Sequence, residues 1–458
     1  MPTPSTLPIP NLVWTGPFVA LLLCIAILPL IPKTAHWWHH NRNKLLVALG
    51  LGLVTLIYYH FRGYGILHNG HITSPGLHTS HHVLHHVAMS EFLPFISLLF
   101  SLYVIAGGIR VRGDIPAHPL TNTAFLAVGG LLASLIGTTG ASMLLIRPLL
   151  ATNSERKRVS HTVIFFIFIV SNIGGALLPI GDPPLFLGYL RGVPFLWTLI
   201  LWKEWLFCTA ILLFVYFIWD TLEYKKETPR RIILDETRVE KLRLDGSINF
   251  LWLIAVVFVT GNMDPTKPFI GTTWTPPNFL REALQTAMVG LSLVTTPRGL
   301  RKESGFSYEA ILEVACLFSG IFLCMQVPIE ILNAKGASLG LDSPAKFFWA
   351  SGILSSFLDN APTYVVFFET ANAMTHAPGD GILPLLSGHY IRIDLLIALS
   401  LGSVFMGANT YIGNGPNFMV KSIAERAGIK MPSFFGYMAY SICILIPLFA
   451  LVTVVFFR

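Results

Sequence analysis

Charged side chains are scarce in this chain. Of its 458 residues only 12% are Asp, Glu, Lys or Arg, and 53% are hydrophobic. Soluble domains carry about 25% charged residues, so this supply excludes an ordinary water-exposed surface. The alternative solvent is lipid, where a helix needs about 20 mainly apolar residues to cross the hydrocarbon core. Such runs recur along almost the whole sequence, which predicts a membrane protein with many spans.

Three further features are missing. The five cysteines have neither paired nor metal-ligand spacing, which excludes a disulfide framework and predicts buried packing residues. No phosphate-binding loop ending in GK[ST] is present, so we expect energy from an ion gradient. The N-terminus lacks the basic region of a cleaved signal peptide, so we expect insertion by the chain's own helices.

The apolar runs predict an all-α polytopic membrane protein with about ten transmembrane helices. The predicted spans lie near residues 12–31, 43–60, 90–109, 161–180, 200–220, 247–262, 282–297, 308–331, 391–411 and 432–457. Two further apolar stretches, 120–151 and 345–372, are interrupted by GTTG at 137–140 and by DNAP at 359–362. Each is too broken for one regular helix, so both are predicted to be re-entrant helical hairpins.

The net charge of +7 comes from short basic clusters between apolar runs, including the run at 225–243, which is not the pattern of a nucleic-acid-binding domain. Lysine and arginine accumulate in cytoplasmic loops. If the N-terminus is outside, these clusters all face inward, and the two hairpins enter the membrane from opposite sides.

The two halves of the chain resemble each other. A shift of 222 positions places Ser134 on Ser356 and the first hairpin break on the second, and a shift of 232 aligns residues 171–184 with 403–416. Together with a match of Glu91 to Glu309, this order predicts inverted repeats. We therefore divide the chain into N-terminal scaffold helices with a His-rich outer segment (1–83), a first repeat (84–222), a basic cytoplasmic linker with connecting helices (223–304) and a second repeat (305–458).

Polar residues at four helix breaks form the predicted site. Interrupted helices survive in a membrane only where protein or a water-filled cavity covers the break, and their free backbone groups and short side chains suit a small cation. The breaks are the two hairpin tips and two crossovers, near 179–184 and 409–417. The predicted cation and proton ligands are Thr138, Thr139, Asn172 and Asp182 in the first repeat, and Asp359, Asn360, Thr363, Asn409, Thr410 and Asn414 in the second.

Asp182 and Asp359 carry most of this prediction. An ionisable group at membrane depth costs several kcal/mol unless it is paired, solvated or bound to a cation. Each carboxylate can bind either a proton or sodium, and competition between the two ligands gives antiport when it is coupled to alternating exposure. We expect no cofactor beyond the transported ions.

Three segments also carry a family resemblance. Residues 171–184 (SNIGGALLPIGDPP), 355–363 (SSFLDNAPT) and 407–417 (GANTYIGNGPN) resemble the signature stretches of NhaD-type sodium/proton antiporters, in a superfamily that also holds citrate and dicarboxylate transporters. The likeness covers about residues 84–458. It implies a scaffold part, a mobile transport part and a homodimer, with exchange of sodium or lithium for protons across a bacterial inner membrane.

The alternative function is sodium- or proton-coupled uptake of citrate or a dicarboxylate. The dicarboxylate branch has Ser-Asn-Thr at both hairpin tips, whereas this chain has GTT at 137–139 and DNA at 359–361. A tip carboxylate repels an anion unless it is protonated or occupied by sodium, which favours a cation. Similar sequences carry the label of citrate transporters, so the substrate stays open at this stage.

Several other residues have structural interpretations. Glu91 and Glu309 are expected to start their spans, and Arg147 and Glu369 to snorkel to opposite interfaces. A GASLG sequence at 336–340 fits the G-x-S-x-G pattern of serine hydrolases, but it follows a helix rather than a strand, which disfavours an enzyme.

A histidine-rich outer segment remains. Its members are His60, His68, His71, His78, His81, His82, His85 and His86. The last five are spaced to share one helical face. A zinc site, a pH-sensing patch and a polar interfacial helix are all compatible with this spacing.

Overall fold

The chain folds almost entirely as helices, which confirms the all-α polytopic fold class. A computed structural model describes residues 7–29, 31–68, 71–237, 239–375 and 377–457, and 71% of the structure is helical. The described strands form three antiparallel two-stranded ribbons. They pair β1 (Leu67–His68) with β2 (His71–Ile72), β3 (Arg110–Asp114) with β4 (Glu240–Asp245), and β5 (Ile382–Pro384) with β6 (Tyr390–Arg392).

Twenty-one α-helices follow one another along the described residues. The first eleven are α1 (Gly16–Ile27), α2 (Pro32–Trp38), α3 (Asn41–Phe61), α4 (Leu77–His86), α5 (Leu93–Ala106), α6 (Pro119–Ile136), α7 (Thr138–Thr152), α8 (Ser160–Ile169), α9 (Pro183–Leu190), α10 (Trp202–Tyr224) and α11 (Pro229–Thr237). The remaining ten are α12 (Ile248–Asn262), α13 (Leu280–Thr295), α14 (Leu300–Glu303), α15 (Glu309–Cys324), α16 (Gln326–Lys335), α17 (Pro344–Phe357), α18 (Asn360–Ala373), α19 (Ile393–Phe405), α20 (Gly415–Arg426) and α21 (Phe434–Phe456).

The structure supports fewer long spans than the ten predicted. Among the described residues, six helices are long and apolar enough to cross a membrane, and two bent pairs, α1 with α2 and α15 with α16, raise the number to eight. The predicted spans at 247–262 and 391–411 are shorter apolar helices, and 282–297 is the 16-residue helix α13. One of the six long helices, α6, is not among the ten predicted spans but is the first arm of a predicted hairpin.

Both predicted hairpins are pairs of helices that break at the predicted positions. Helices α6 and α7 pack together and meet at Gly137, whose φ of 82° suits a residue without a Cβ. Helices α17 and α18 pack together and meet at Leu358 and Asp359. The entry of the two hairpins from opposite sides stays a prediction, as do the repeat boundaries.

The centre of the molecule is built from helices that are apolar on every side. Helix α8 reads SHTVIFFIFI, and 89% of the span that it begins is buried, whereas only 28% of the α21 window is. A helix that is hydrophobic all round belongs in a protein interior or in lipid. Helix α8 therefore lies inside the protein, and α21 leaves most of its surface for lipid.

Corresponding contacts recur in the two halves. Ser134 Oγ donates to the Gly174 carbonyl at 2.5 Å, and Ser356 Oγ donates to the Met406 carbonyl at 3.1 Å. These acceptors lie 232 positions apart, which is the shift that aligned the crossovers. In addition, α9 of the first half packs on α18, and α20 of the second half packs on α7. Each crossover therefore sends its second half-helix to the opposite hairpin.

Three of the smaller predictions are wrong. Glu91 does not start a span, because it lies inside the continuous helical segment Leu77–Ala106, in a π-helical stretch at Val87–Phe92. Glu369 does not snorkel, because it is buried and paired with Arg191. Cys443 is exposed on the outside of the bundle rather than buried.

The predicted orientation can be tested by thiol labelling. In a cysteine-free background, single cysteines at the exposed positions Lys225 and Lys302 should react with an impermeant maleimide only from the cytoplasmic side. A cysteine at the exposed His81 should react only from outside, because the basic loops face inward. Labelling of His81→Cys and Lys225→Cys from the same side would overturn the orientation.

Candidate ion-binding site

The four predicted helix breaks meet in the middle of the protein. Gly137 and Asp359 are the N-cap residues of α7 and α18, and Asp182 and Asn414 are the N-cap residues of α9 and α20. Prolines follow at the first turns of α9 and α20, where the missing N–H costs nothing because no intrahelical acceptor exists there. Local sequence therefore places four helix N-termini at the site.

The carboxylate of Asp182 joins three other segments. Its Oδ1 accepts a hydrogen bond from Thr138 Oγ1 at 3.0 Å and a longer one from Asn414 Nδ2 at 3.4 Å. Its Oδ2 accepts one from Asn360 Nδ2 at 2.7 Å. The residue is 1% exposed, and its side chain does not cap its own helix. The two hairpin tips and the second crossover are thus linked through one buried side chain of the first crossover.

Close backbone packing holds each crossover in shape. A Cβ on Gly181 would lie 2.2 Å from the Gly175 carbonyl oxygen, and a Cβ on Gly413 would lie 2.6 Å from the Gly407 carbonyl oxygen. No side chain tolerates such distances, so only glycine fits at Gly181 and Gly413. The Thr138 backbone N–H also donates to the Gly181 carbonyl at 2.8 Å. The backbone thereby positions Thr138 beside Asp182.

An asparagine network continues from Asp182 into the second repeat. Asn414 Nδ2 donates to Asn172 Oδ1 at 3.2 Å and to the Ser171 carbonyl at 3.1 Å. Asn172 Nδ2 donates in turn to Asn417 Oδ1 at 2.7 Å. These three asparagine side chains are buried, and buried amides are stable only when they are hydrogen-bonded.

Asn409 and Thr410 support the second hairpin instead of contacting Asp182. Asn409 Nδ2 donates to Ser356 Oγ at 2.9 Å, and Thr410 Oγ1 donates to the Ser356 carbonyl at 2.5 Å. Thr410 Oγ1 also accepts from the backbone N–H of Gly413. The structure therefore separates this supporting pair from the groups that touch the carboxylate.

Asp359 lies in a different environment from Asp182. Its side chain caps its own helix by accepting from the Ala361 N–H at 3.1 Å, and it is only half-buried. Thr363 Oγ1 donates to the Asp359 carbonyl at 3.1 Å. Thr139 is half-buried at the other tip, and within the described part of the chain it is not among the donors to Asp182. These three residues border the Asp182 cluster without joining it.

Sequence reasoning missed several residues of the site. Asn417 was left out of the predicted ligands although it lies in the second crossover, and it donates to the carbonyls of Gly407 and Thr410. Ser171 and Ser356 were seen only as matching positions, yet both hold asparagine side chains. Asn417 could have been found from its position in the first turn of the half-helix α20.

Within the part of the chain that the structure describes, two amide oxygens at the site have no hydrogen-bond donor. They are Asn360 Oδ1 and Asn409 Oδ1, both buried. The orientation of the Asn360 amide follows from chemistry, since its Nδ2 must face the Asp182 carboxylate. An orphaned buried carbonyl oxygen is costly in protein but is a good ligand for a hard cation.

The described residues contain no group of three or more His, Cys, Asp or Glu side chains arranged to hold a metal ion. In the His-rich segment, α4 carries the five helically spaced histidines, and the rings of His81 and His85 stack with centroids 6.3 Å apart. The side chains of His68 and His71 lie outside the described residues. The zinc hypothesis thus gains no support from the described residues.

The GASLG sequence at 336–340 begins with a 3₁₀ turn (Gly336–Leu339) that follows helix α16, so it follows a helix, as expected.

Long apolar helices around paired broken helices and a buried carboxylate define a multi-pass membrane protein of the transporter class. Residues 9–457 match a family described as "Putative citrate transport", and the chain belongs to this family. The match includes the N-terminal helices that the resemblance had left out. It supports the wider ion-transporter superfamily. A search of curated proteins finds no match.

The hydrogen bonds of Asp182 predict a stability difference between the two aspartates. At alkaline pH, where Asp182 is ionised, Asp182→Asn replaces the acceptor of three hydrogen bonds by an amide and leaves at least one buried donor unsatisfied, which costs about 1–3 kcal/mol. Asp359→Asn keeps a good N-cap and should cost much less. Thermal unfolding in detergent should therefore show a clearly lower midpoint for Asp182→Asn than for Asp359→Asn. Equal midpoints would contradict the central role of the Asp182 cluster.

Proposed function

We propose that this protein is a secondary transporter that exchanges sodium or lithium for protons, with Asp182 as the group that binds either ion. The membrane location and the transporter family are its starting point. The site adds carboxylate, amide and hydroxyl oxygens at the meeting point of four broken helices.

One observation carries the proposal. Asp182 is buried, and the side chains that hydrogen-bond to it, those of Thr138, Asn360 and Asn414, are all neutral donors. Among the described residues, no Lys, Arg or His side chain hydrogen-bonds to Asp182 or Asp359. A buried carboxylate without a basic partner is stable only with a proton or a cation bound. The two ions therefore compete for one group.

Neighbouring oxygens can complete a cation site. Asn360 Oδ1 has no donor among the described residues, and rotation of the Asn360 or Asn414 amide would turn a carbonyl oxygen toward a bound cation. Asp359 interacts electrostatically with Asp182, and its half-buried position suits an ion on its way to the deeper carboxylate. Thr138, Thr139 and Thr363 offer hydroxyl oxygens at the two tips.

A second candidate is sodium- or proton-coupled citrate transport. The family description favours it. The N-termini of α7, α9, α18 and α20 also converge at the site, and helix N-termini attract anions. Against it stands the charge of the site, which has two carboxylates and, among the described residues, no hydrogen-bonded basic side chain.

The cellular setting and assembly belong to the same proposal. A bacterial inner membrane supplies the proton and sodium gradients that the exchange needs, and a homodimer follows from the superfamily resemblance. No catalytic step is proposed, since the two ions only bind and dissociate.

One proteoliposome preparation decides between the two functions. A dye inside the vesicles reports pH while sodium, lithium or potassium is added outside, and parallel samples receive labelled citrate. Sodium or lithium should move protons across pH 6–9 without citrate. Citrate accumulation with no cation-driven proton movement would reject the exchange and support the second candidate.

Two isosteric variants locate the coupling group. Asp182→Asn should abolish coupled proton movement, because asparagine can ligate a cation but cannot titrate. Asp394→Asn is the matched control, since Asp394 is 45% exposed and pairs with Arg392 at the start of α19. The control should behave as the unmodified protein does. Wild-type exchange by Asp182→Asn would exclude this carboxylate.

A further inference from the structure

Helices α9 and α18 pack against each other and are tied at both ends. At one end Asn360 Nδ2 donates to Asp182 at 2.7 Å. At the other end Arg191 Nε donates to Glu369 Oε1 at 3.0 Å. Arg191 is nine positions after Asp182, and Glu369 is nine positions after Asn360. Because both helices advance about 1.5 Å per residue, the two ties lie in the same register along a parallel pair.

The surface between the two ties is closely packed. A Cβ on Gly188 of α9 would lie 2.3 Å from the Tyr364 hydroxyl oxygen of α18. Tyr364 is 1% exposed, so it cannot move aside into solvent. If α9 slid along α18, Asp182 and Arg191 would therefore both be displaced relative to their partners on α18.

Arg191 is shared between two carboxylates of unequal distance. Glu369 Oε1 is 3.0 Å from Nε, whereas Glu91 Oε1 is 3.5 Å from Nη2. Glu91 is also held by Gln326 Nε2 at 3.2 Å, and His86 Nε2 lies 3.9 Å from it. The three side chains that form the ion pairs are each less than 15% exposed. Glu369 is thus the main partner, and Glu91 connects the pair to the helix at Leu77–Ala106.

We propose that Arg191 is a positioning residue: its ion pair with Glu369 fixes the register of α9 against α18 and so holds Asp182 against Asn360. The pair does not touch the transported ion. The effect on ion affinity rests on the proposed function, whereas the effect on helix register does not.

Glu369→Gln and Glu91→Gln are the matched variants. Each removes one negative charge near the same arginine and keeps the side-chain shape, so a general loss of negative charge would weaken sodium binding in both variants. A positioning role predicts an effect in Glu369→Gln and almost none in Glu91→Gln. Losing the Glu369 pair should raise the half-saturating sodium concentration about tenfold, which is the lower end of the effect expected when one hydrogen bond between charged groups is lost. Glu91→Gln should leave it within about twofold, the usual effect of an uncoupled site.

Deuterium uptake gives a second measurement that needs no transport. Glu369→Gln should increase exchange of the amides at 183–191, and Glu91→Gln should leave them protected. Equal shifts in both variants, or unchanged affinity and protection in Glu369→Gln, would overturn the proposal. If the unmodified protein moves no ions, the proposed function fails, and amide exchange still decides whether Arg191 sets the register.

Discussion

A buried carboxylate with neutral partners is the constraint on which the rest of this structure depends. Asp182 is 1% exposed and receives hydrogen bonds from Thr138, Asn360 and Asn414. Ionised, it would cost several kcal/mol in the membrane interior without a further ligand. The three donors come from both hairpin tips and from the second crossover, so their hydrogen bonds to Asp182 link all four helix breaks. The proposed ion binding at this carboxylate would therefore act on all four breaks at once.

The convergence is achieved by an exchange between the two halves. Helix α9 follows the first crossover but packs on the second hairpin, and α20 follows the second crossover but packs on the first hairpin. Asp182 and Asn414 occupy corresponding positions 232 apart and contact each other. If the two halves are duplicates, the same position occurs twice. It is a carboxylate, Asp182, in the first half and an amide, Asn414, in the second. One member can titrate and the other cannot, so the pair places a neutral amide beside the carboxylate that we propose as the proton site.

The local sequence predicted where the helices break, but not that the side chains at these breaks have different roles. Gly137, Pro183 and Pro416 interrupt helices through their own backbone chemistry, so the hairpin tips and crossovers could be read from the chain. Asp182 and Asp359 looked alike because both follow a break. Their difference depends on where each side chain points: Asp359 caps its own helix, and Asp182 reaches three distant segments.

The pairing of Glu369 with Arg191 is likewise long-range, and the residues next to them in the sequence do not indicate it. Apolar runs also do not distinguish long helices from shorter ones such as α12, which is why some predicted spans are shorter apolar helices.

The acidic site and the citrate-related family description can be reconciled by the order of binding. Two carboxylates repel a free anion, but a cation on Asp182 cancels one negative charge and leaves the N-termini of α7, α9, α18 and α20 facing the same space. Those N-termini carry about half a positive charge each, which favours a carboxylate next to the bound cation. In both candidate functions, Asp182 would therefore first bind a sodium ion or a proton. The two functions differ only in the later steps. An exchanger changes back to its starting conformation with a proton on this carboxylate, whereas a co-transporter must bind an anion before it changes conformation. Neutral amides serve either path, because an amide can face a carboxylate with its N–H₂ group or a cation with its oxygen.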